Sequence, residues 1–263
     1  MKKYLFMILL LWSCGEPSLV EHGATRKEKA ITTHEHWSYQ GETGPAHWAE
    51  IEKDSDCSGR HQSPVNIIEI HTRIGSDEEM ALEIFYEDST RIHDVVNNGH
   101  SIQYNFELGD YIKFNGQQYD LKQIHFHEPS EHTINGVRYP IEMHMVHTSR
   151  DGNLTVLGIM GIEGINSAPF QFLENYLPVK AGGSKTIDSP FNLNMNLPEE
   201  RDKFFYYSGS LTTPPCSEHV NWIVFKTPIT LSLEQVKVLQ ELMPVNNYRN
   251  EQPLNDRVVL RSF

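Results

Sequence analysis

The sequence predicts a mainly β fold of the α+β class: a single domain around one large, mostly antiparallel, twisted sheet with short peripheral helices. Three observations predict it. Strand-like stretches dominate the chain, turn-forming dipeptides separate them, and helical patterns are few. After residue 34 we find no internal repeat, low-complexity tract or interdomain linker, so one domain is predicted at 34–263 of the 263 residues.

The strands are predicted from alternating or continuous apolar stretches that are rich in β-branched and aromatic residues. In chain order they cover 81–86, 92–96, 101–107, 111–114, 119–127, 139–147, 154–162, 204–207 and 219–225. The turn dipeptides between them are Asn98-Gly99, Asn115-Gly116, Asn135-Gly136 and Asp151-Gly152. Tight turns join antiparallel neighbours, and for this reason most of the sheet is predicted to be antiparallel.

Two short helices are predicted at the periphery. Residues 170–176 form the first candidate. The stretch 232–242 is the stronger one, because Ser232 can cap the helix while Val236 and Leu239 recur at helical spacing.

Composition and charge limit the classes of function. Hydrophobic residues make up 38% of the chain and aromatic residues 10%, which is enough for a folded core. Lys and Arg number 22 against 35 Asp and Glu, giving a net charge of −13. Nucleic-acid binding requires a basic surface, so we expect no nucleic acid among the partners.

The N-terminus has the pattern of a signal peptide at 1–13. Lys2-Lys3 precedes an apolar stretch, 4–12, that is too short to span a bilayer. The stretch ends in Leu11-Trp12-Ser13-Cys14, which resembles a bacterial lipoprotein cleavage box, although Trp12 is unusual there. We therefore expect lipidation at Cys14, membrane attachment through that lipid, and a tether at 14–33. The alternative is ordinary secretion. In both cases we expect the protein to be exported, to the periplasm or, as a lipoprotein, to the outer membrane.

Export also bears on the cysteines. If Cys14 carries lipid, Cys57 and Cys216 remain, and an oxidising compartment favours a disulfide between them. The alternative is a pair of buried free thiols.

Three histidines share a pattern typical of a catalytic metal site. Because strand side chains alternate between faces, Gln123, His125 and His127 point to one side of their strand. Glu142 and His144 likewise share a face of the strand after the Asn135-Gly136 turn. If the two strands pair, three imidazoles converge with two polar residues that can hold their second nitrogens. Three protein ligands with a free fourth position indicate a catalytic zinc. The alternative is a structural histidine cluster.

Two further segments carry polar groups. Ser210-Leu211-Thr212-Thr213-Pro214-Pro215 forms a rigid loop with two threonine hydroxyls, and alone it would be an ordinary surface turn. Asn97-Asn98-Gly99-His100 is a turn with a histidine, a residue that titrates near neutrality and can pass protons.

Together these segments closely resemble the α-class carbonic anhydrases, over about 37–263. The motifs that carry the resemblance are Trp37-Ser38-Tyr39, Gly44-Pro45-x-His47-Trp48, Gln62-Ser63-Pro64-Val65-Asn66-Ile67, Asn97-Asn98-Gly99-His100, Gln123-Ile124-His125-Phe126-His127, Ser130-Glu131-His132-Thr133, Glu142-x-His144-x-Val146-His147 and Ser210-Leu211-Thr212-Thr213-Pro214-Pro215. The resemblance implies zinc-dependent, reversible hydration of carbon dioxide to bicarbonate and a proton.

The resemblance also implies a role for each residue around the metal. His125, His127 and His144 would bind Zn²⁺, with Gln123, Glu142 and a backbone carbonyl near Asn247 as their outer partners. Thr212 would accept a hydrogen bond from the metal-bound hydroxide and donate its own to Glu131, which as a carboxylate can only accept. His132 and Tyr207 would buttress this network.

The remaining roles concern substrate and proton. Carbon dioxide would rest on an apolar wall formed by Val146, Val156, Leu211, Val220 and Trp222, and Thr213 would line the site. His100 would pass the proton to buffer, while Tyr39 and Asn98 would order the intervening water. Cys57 and Cys216 match a disulfide of extracellular and bacterial members.

Two other functions are compatible with parts of the pattern. In a cupin-like metal oxygenase, Glu131 would be a fourth ligand after His125-x-His127. A carbonic-anhydrase-like binding module would have the fold without catalysis. The relatives implied by the resemblance are often homodimers, so a homodimer is also expected.

Overall fold

The computed structural model describes residues 36–263. The predicted signal peptide, Cys14 and the tether up to residue 33 lie outside the described residues. Among the residues described, no helix is both long and apolar enough to cross a membrane.

The described residues form seventeen strands, which are two to eleven residues long. They are β1 (Asn66–Ile67), β2 (Arg73–Ile74), β3 (Leu82–Phe85), β4 (Thr90–Asn97), β5 (Ile102–Phe106), β6 (Tyr111–Phe114), β7 (Gln117–His127), β8 (Thr133–Ile134), β9 (Val137–Arg138), β10 (Ile141–Thr148), β11 (Leu154–Glu163), β12 (Ser184–Thr186), β13 (Pro190–Phe191), β14 (Phe204–Ser210), β15 (Glu218–Phe225), β16 (Ile229–Leu231) and β17 (Leu260–Arg261). The helices are α1 (Trp48–Ile51), α2 (Ala168–Glu174) and α3 (Leu233–Leu242), with 3-10 turns at Gly41–Thr43, Glu69–His71 and Leu193–Asn196.

One fourteen-stranded sheet dominates the described part of the chain. Its main path runs β12-β4-β5-β7-β10-β11-β15-β14-β17-β2, and β3, β6, β13 and β16 pair beside it. Most neighbours are antiparallel, but β11 runs parallel to β15 and β16, and β17 parallel to β2. A separate three-stranded sheet has the order β1-β8-β9. The predicted β-rich class and mostly antiparallel sheet are confirmed, with these parallel pairs as an addition.

The predicted strands are present in the structure, but several of them begin or end at other residues than predicted. The largest extension is in β14, where the apolar pattern stops at Tyr207 but the strand continues through Ser210. Serine and glycine have low strand propensity, so only pairing with β15 makes this end extended. Asn135 and Gly136 adopt φ of 52° and 76° and form the tight turn of the small β8–β9 hairpin, which lies within the connection from β7 to β10.

Helix capping accounts for the helix positions. Ser232 caps α3 in a capping box with Gln235, as predicted. Helix α2 begins two residues earlier than predicted, because the Ser167 side chain caps it and a proline follows in its first turn.

Hydrophobic packing lies on both faces of the sheet. On β7, Ile124 and Phe126 belong to the larger core, together with Met143 and Met145 of β10. On the opposite face a second cluster includes Val156, Val220 and Trp222. The histidines of β7 and β10 alternate with the larger core and therefore lie on the face of this second cluster.

Cys57 and Cys216 form a disulfide that closes a loop of 159 positions. The predicted pairing is confirmed, and the free-thiol alternative is wrong.

Candidate metal centre

Two neighbouring strands bring the three histidines together. Strands β7 and β10 pair antiparallel, with His144 opposite His125 and Glu142 opposite His127. The ring centroids lie 5.0 Å apart for His125–His127, 5.0 Å for His125–His144 and 4.6 Å for His127–His144. The alternation of strand side chains therefore places all three imidazoles in one cluster.

Each ring has one nitrogen held by an oxygen acceptor. Nδ1 of His125 lies 2.9 Å from Oε1 of Gln123, and Nδ1 of His127 lies 2.6 Å from the carbonyl oxygen of Asn247. Nε2 of His144 lies 2.8 Å from Oε1 of Glu142. A nitrogen that faces a carbonyl or carboxylate must donate its N–H, so the other nitrogen of each neutral ring carries a lone pair.

These free nitrogens converge. Nδ1 of His144 lies 3.3 Å from Nε2 of His125, and the buried Nε2 of His127 has no hydrogen-bond partner among the described residues. Two facing lone pairs repel each other unless a cation lies between them. Ligand nitrogens on a tetrahedral zinc lie about 3.3 Å apart, given Zn–N distances of about 2.0–2.1 Å. The three residues therefore form a cluster that fits and could hold a metal ion.

Burial keeps the rings neutral. His127 and His144 are buried, and His125 is half-buried. Burial lowers the pKa of His127 to about 4, and it also lowers the pKa of His144. Burial, followed by the neighbouring His127 and His144, lowers the pKa of His125 well below its usual value. Neutral imidazole is the form that binds metals, so the protein does not have to remove protons from these rings.

Glu142 is the central acceptor behind the cluster. Its Oε1 accepts from His144 and, at 2.7 Å, from Nδ1 of His132. Its Oε2 accepts from the backbone N–H groups of Glu131 and His132, each at 2.8 Å. Burial alone would raise the pKa of Glu142, but the contacts with His132 and His144 outweigh it and hold the pKa well below the usual value. A charged carboxylate is therefore fixed beside the histidine cluster.

A hydrogen-bonded chain continues from Glu142 into the interior. Because His132 donates from Nδ1, its Nε2 can accept from the Tyr207 hydroxyl at 2.6 Å. Tyr207 in turn lies 2.9 Å from Oγ of Ser63. The chain Glu142–His132–Tyr207–Ser63 fixes the direction of each bond and buttresses His144.

Glu131 lies on the other side of the cluster. Its Oε1 accepts from the backbone N–H of Arg249 at 2.9 Å, and its Oε2 lies 3.5 Å from Nε2 of His127. Burial raises the pKa of Glu131 to about 7, whereas His144, the Thr212 hydroxyl and the Arg249 amide act to lower it. Thr212 is thus close enough to affect this carboxylate, although no hydrogen bond of ordinary geometry reaches Oε2 from the described residues.

The predicted apolar residues lie together beside the cluster. Val156, Val220 and Trp222 are buried in one hydrophobic group, with Val146 and Leu211 packed against it. The Trp222 ring centroid is 4.8 Å from that of His144, and its Nε1 donates to the Ser210 carbonyl at 2.8 Å. Thr213 is half-buried in the loop after Leu211. The arrangement places an apolar surface next to the candidate metal site.

His100 lies in a turn whose backbone is held by Asn98. Oδ1 of Asn98 accepts from the N–H of His100 at 2.9 Å. The imidazole of His100 stacks on Trp37 at 3.8 Å between centroids and lies 6.2 Å from the Tyr39 ring. Burial, with a contribution from Glu131, raises the pKa of Tyr39 well above its usual value, so its hydroxyl stays protonated.

The strand patterns in the sequence did not indicate that Asn247 and Arg249 hold parts of the site in place. The Asn247 side chain donates to the carbonyls of His100 and Phe126, each at 3.0 Å, and so joins the His100 turn to β7. The buried guanidinium of Arg249 donates to Oε1 of Gln62 at 2.7 Å and to the Cys57 carbonyl at 3.1 Å. Both residues follow α3 in irregular chain, where periodicity gives no signal. The family resemblance was the only indication, and it pointed to the Asn247 carbonyl alone.

Comparison with known proteins agrees with this geometry. A family model described as eukaryotic-type carbonic anhydrase matches residues 43–263. The chain is 38% identical to a carbonic anhydrase of Nostoc sp. over 86% of each chain, and 37% identical to one of Neisseria gonorrhoeae over 96% of this chain and 94% of that one. A solved α-carbonic anhydrase from Thermovibrio ammonificans, in complex with the inhibitor sulfanilamide, superposes with a TM-score of 0.80 at 39% identity, covering 86% of this chain and 98% of that one.

These matches also bear on the alternatives. They leave no basis for the cupin-like oxygenase, because they extend over regions far beyond the His125-x-His127 motif. The chain belongs to the eukaryotic-type carbonic anhydrase family, the enzymes that reversibly hydrate carbon dioxide to bicarbonate and a proton.

Proposed function

We propose that the chain performs this reaction at a zinc ion held by His125, His127 and His144. The observation that carries the proposal is the set of fixed tautomers. Gln123, the Asn247 carbonyl and Glu142 each take the N–H of one ring, which leaves three lone pairs directed toward one another. A catalytic zinc site has three protein ligands and a free fourth position, which matches the three histidine nitrogens here. Zinc bound there would supply a Lewis acid that makes water nucleophilic near neutral pH, the chemistry for which carbonic anhydrases are the standard example.

Thr212 and Glu131 would orient the attacking oxygen. Glu131, once ionised, has no proton to give, so the Thr212 hydroxyl must donate to it. The threonine oxygen then remains free to accept a proton from the nucleophile and to hold its lone pair toward the substrate. The Arg249 amide and the burial of Glu131 support this role, because both restrict where the carboxylate can lie.

Carbon dioxide would occupy the surface formed by Val146, Val156, Leu211, Val220 and Trp222, with Thr213 at its edge. A nonpolar, uncharged substrate gains from an apolar surface, whereas the charged bicarbonate product regains hydration by leaving. The packing of these side chains against one another beside His144 supports the assignment.

His100 would carry the product proton to solvent, and Tyr39 with Asn98 would order the water between His100 and the metal. Histidine can accept and release a proton near neutral pH. The half-buried position of His100 at a turn held by Asn98 supports this role.

The test is the His144→Ala variant. Removal of one of three ligands should abolish stoichiometric zinc retention and carbon dioxide hydration together, measured by metal analysis and stopped-flow assay. His93→Ala is the control, because His93 is an exposed histidine paired with Asp94 and distant in sequence from the cluster. Stoichiometric zinc in the His144→Ala variant would contradict the ligand set. A wild-type protein that holds zinc yet does not hydrate carbon dioxide would instead be a binding module.

Location and assembly are also proposed. The confirmed disulfide and the bacterial relatives are consistent with export. We infer a periplasmic or outer-membrane lipoprotein with lipid on Cys14, which mass spectrometry of the mature protein would test. A homodimer is the proposed assembly, and sedimentation analysis would distinguish it from a monomer.

A further inference from the structure

The chain contains three Asn-Gly dipeptides, a sequence in which the asparagine side chain can react with the backbone. They are Asn98-Gly99, Asn115-Gly116 and Asn135-Gly136. All three asparagines are exposed. The backbone nitrogen that follows an asparagine can attack its side-chain amide carbon, and glycine hinders this attack least because it has no Cβ. Sequence alone therefore makes the three sites equivalent.

The structure distinguishes the three glycine N–H groups by what they donate to. The N–H of Gly99 donates to Oδ1 of Asn97, and the N–H of Gly136 donates to Oδ1 of Asn66, each at 3.0 Å. Within residues 36–263, the N–H of Gly116 has no acceptor. The space around Gly116 is also open, since a Cβ at this position would meet no atom within 4 Å. A nitrogen that already donates its proton must first lose that hydrogen bond before it can attack.

Two of the sites form a matched comparison. Asn115-Gly116 and Asn135-Gly136 are the two-residue turns of the β6–β7 and β8–β9 hairpins. The φ angles are 50° and 78° in the first turn and 52° and 76° in the second. Backbone conformation therefore does not separate them. The difference is the acceptor on Asn66, which engages the second turn and has no counterpart at the first.

We propose that Asn115 is a site of spontaneous deamidation in the folded protein, whereas hydrogen bonds to glycine protect Asn98 and Asn135. The Gly116 nitrogen loses its proton and bonds to Cγ of Asn115. The Cγ–Nδ2 bond breaks, and the side-chain nitrogen gains a proton and leaves as ammonia. Water then opens the cyclic imide to aspartate or isoaspartate. One amide and one water give one carboxylate and one ammonium ion, without oxidation or reduction, and the inference does not depend on the zinc site.

The reaction would change what the Asn115 side chain offers to its neighbours. In the amide orientation that satisfies both of its polar atoms, Nδ2 of Asn115 donates to the carbonyl oxygens of Glu78 and Glu79, at 2.8 and 3.2 Å. A carboxylate can only accept, so the product would face these carbonyl oxygens without a proton to share. The backbone N–H of Asn115 donates to the Ala81 carbonyl at 3.0 Å. We therefore expect deamidation to weaken the attachment of residues 78–81 to this hairpin.

The competing explanation is that the Asn-Gly sequence alone sets the rate. The full-length, zinc-loaded protein is incubated at mildly alkaline pH, and peptide mapping by mass spectrometry measures aspartate and isoaspartate at each site. In the native protein, Asn115 should react several-fold faster than Asn98 and Asn135. In denaturant the three should react at similar rates, because the protecting hydrogen bonds are absent. Similar rates in the native protein would overturn the proposal.

Variants of Asn66 test the cause of the protection. Asn66→Ala removes the acceptor of the Gly136 N–H and should raise the rate at Asn135 several-fold, toward the rate at Asn115. Asn66→Asp keeps an acceptor oxygen and is the control, with the wild-type rate expected at Asn135. An unchanged rate at Asn135 in the alanine variant would show that the glycine hydrogen bond does not protect it. The comparison of native and denatured wild type needs no variant and stands if Asn66→Ala does not fold.

Two variants of Asn115 test the consequence. Asn115→Asp mimics the product, whereas Asn115→Gly removes the side chain and suits the positive φ. The aspartate variant should unfold at a lower temperature than the glycine variant, because only its carboxylate faces the two carbonyl oxygens. Both should hydrate carbon dioxide at the wild-type rate, since Asn115 is not among the residues proposed for the metal site. Equal unfolding temperatures of the two variants would overturn the expected weakening.

Discussion

Several hydrogen bonds around the histidine cluster have a fixed direction, because the charged carboxylate of Glu142 accepts all of them. Glu142 can only accept, and it receives N–H groups from His144, from the ring and backbone of His132, and from the backbone of Glu131. Each donor therefore has one defined tautomer or orientation. At the residue scale, the carboxylate decides which nitrogen of His144 faces His125.

Thr212 gives the sharpest prediction at this scale. Thr212→Val keeps the shape but removes the hydroxyl, so we expect zinc to be retained while turnover falls roughly 100-fold from lost orientation. The matched control is Thr212→Ser, which keeps the hydroxyl and should retain most activity. Stopped-flow hydration with parallel metal analysis measures both. Full activity of the valine variant would remove Thr212 from the mechanism.

At the scale of elements, the β7–β10 pair builds the site. A slip of one residue in this register would turn His144 to the opposite face and replace it with an apolar neighbour. The buried residues Ile124, Phe126, Met143 and Met145 oppose such a slip, because it would expose them on the cleft side. The same apolar pattern that forms the core therefore fixes the position of the three histidines.

Helix α3 offers a prediction for an element. The Ser232 side chain accepts from the Gln235 N–H, so Ser232→Ala should lower the free energy of unfolding by about 1 kcal/mol. Ser232→Asp preserves an acceptor and is the control. Denaturant unfolding measures both variants. Equal stability of the alanine variant and the wild type would show that the cap adds no stability.

At the scale of the whole molecule, the disulfide links distant parts of the chain. Cys216 also donates its N–H to the Thr213 carbonyl at 2.8 Å, so the bridge ends in the loop that carries Thr212. The carbonyls of Cys57 and Cys216 accept from Arg249 and Gln62, respectively. The bridge and the polar groups around it thus belong to one buried region.

The double variant Cys57→Ser, Cys216→Ser tests this link. Loss of a bridge across 159 positions should lower the free energy of unfolding by about 2–5 kcal/mol, because the unfolded chain gains conformational freedom. Zinc should remain bound at low temperature. Unfolding curves of the oxidised wild type, the reduced wild type and the variant provide the measurement. The reduced wild type should match the variant, and identical stability of all three would contradict the prediction.

Much of the fold and the candidate ligand set could be predicted because the signals are local. Strand alternation places His125 and His127 on one face within three residues, and the Asn-Gly turn signals mark chain reversals. The ends of β14 and α2 were less predictable, since pairing with β15 and the Ser167 cap decide them. The roles proposed for Thr212, Glu131 and His100 came from family resemblance, because a single hydroxyl or imidazole in a loop has no periodic pattern.

Residue type and near-neighbour spacing were enough to predict a β-rich domain and three histidines able to face a common point. The pairing of Cys57 with Cys216 was predicted from the number of cysteines, with free thiols as the alternative, and the fold decides it by bringing together positions that are 159 apart. The identity of the oxygen that holds His127, and the hydrogen bond between Tyr207 and Ser63, depend on the tertiary structure. Asn247 lies 120 positions from His127, and Ser63 lies 144 from Tyr207. Contacts between such distant positions depend on how the whole sheet and its loops pack, and no local pattern encodes them.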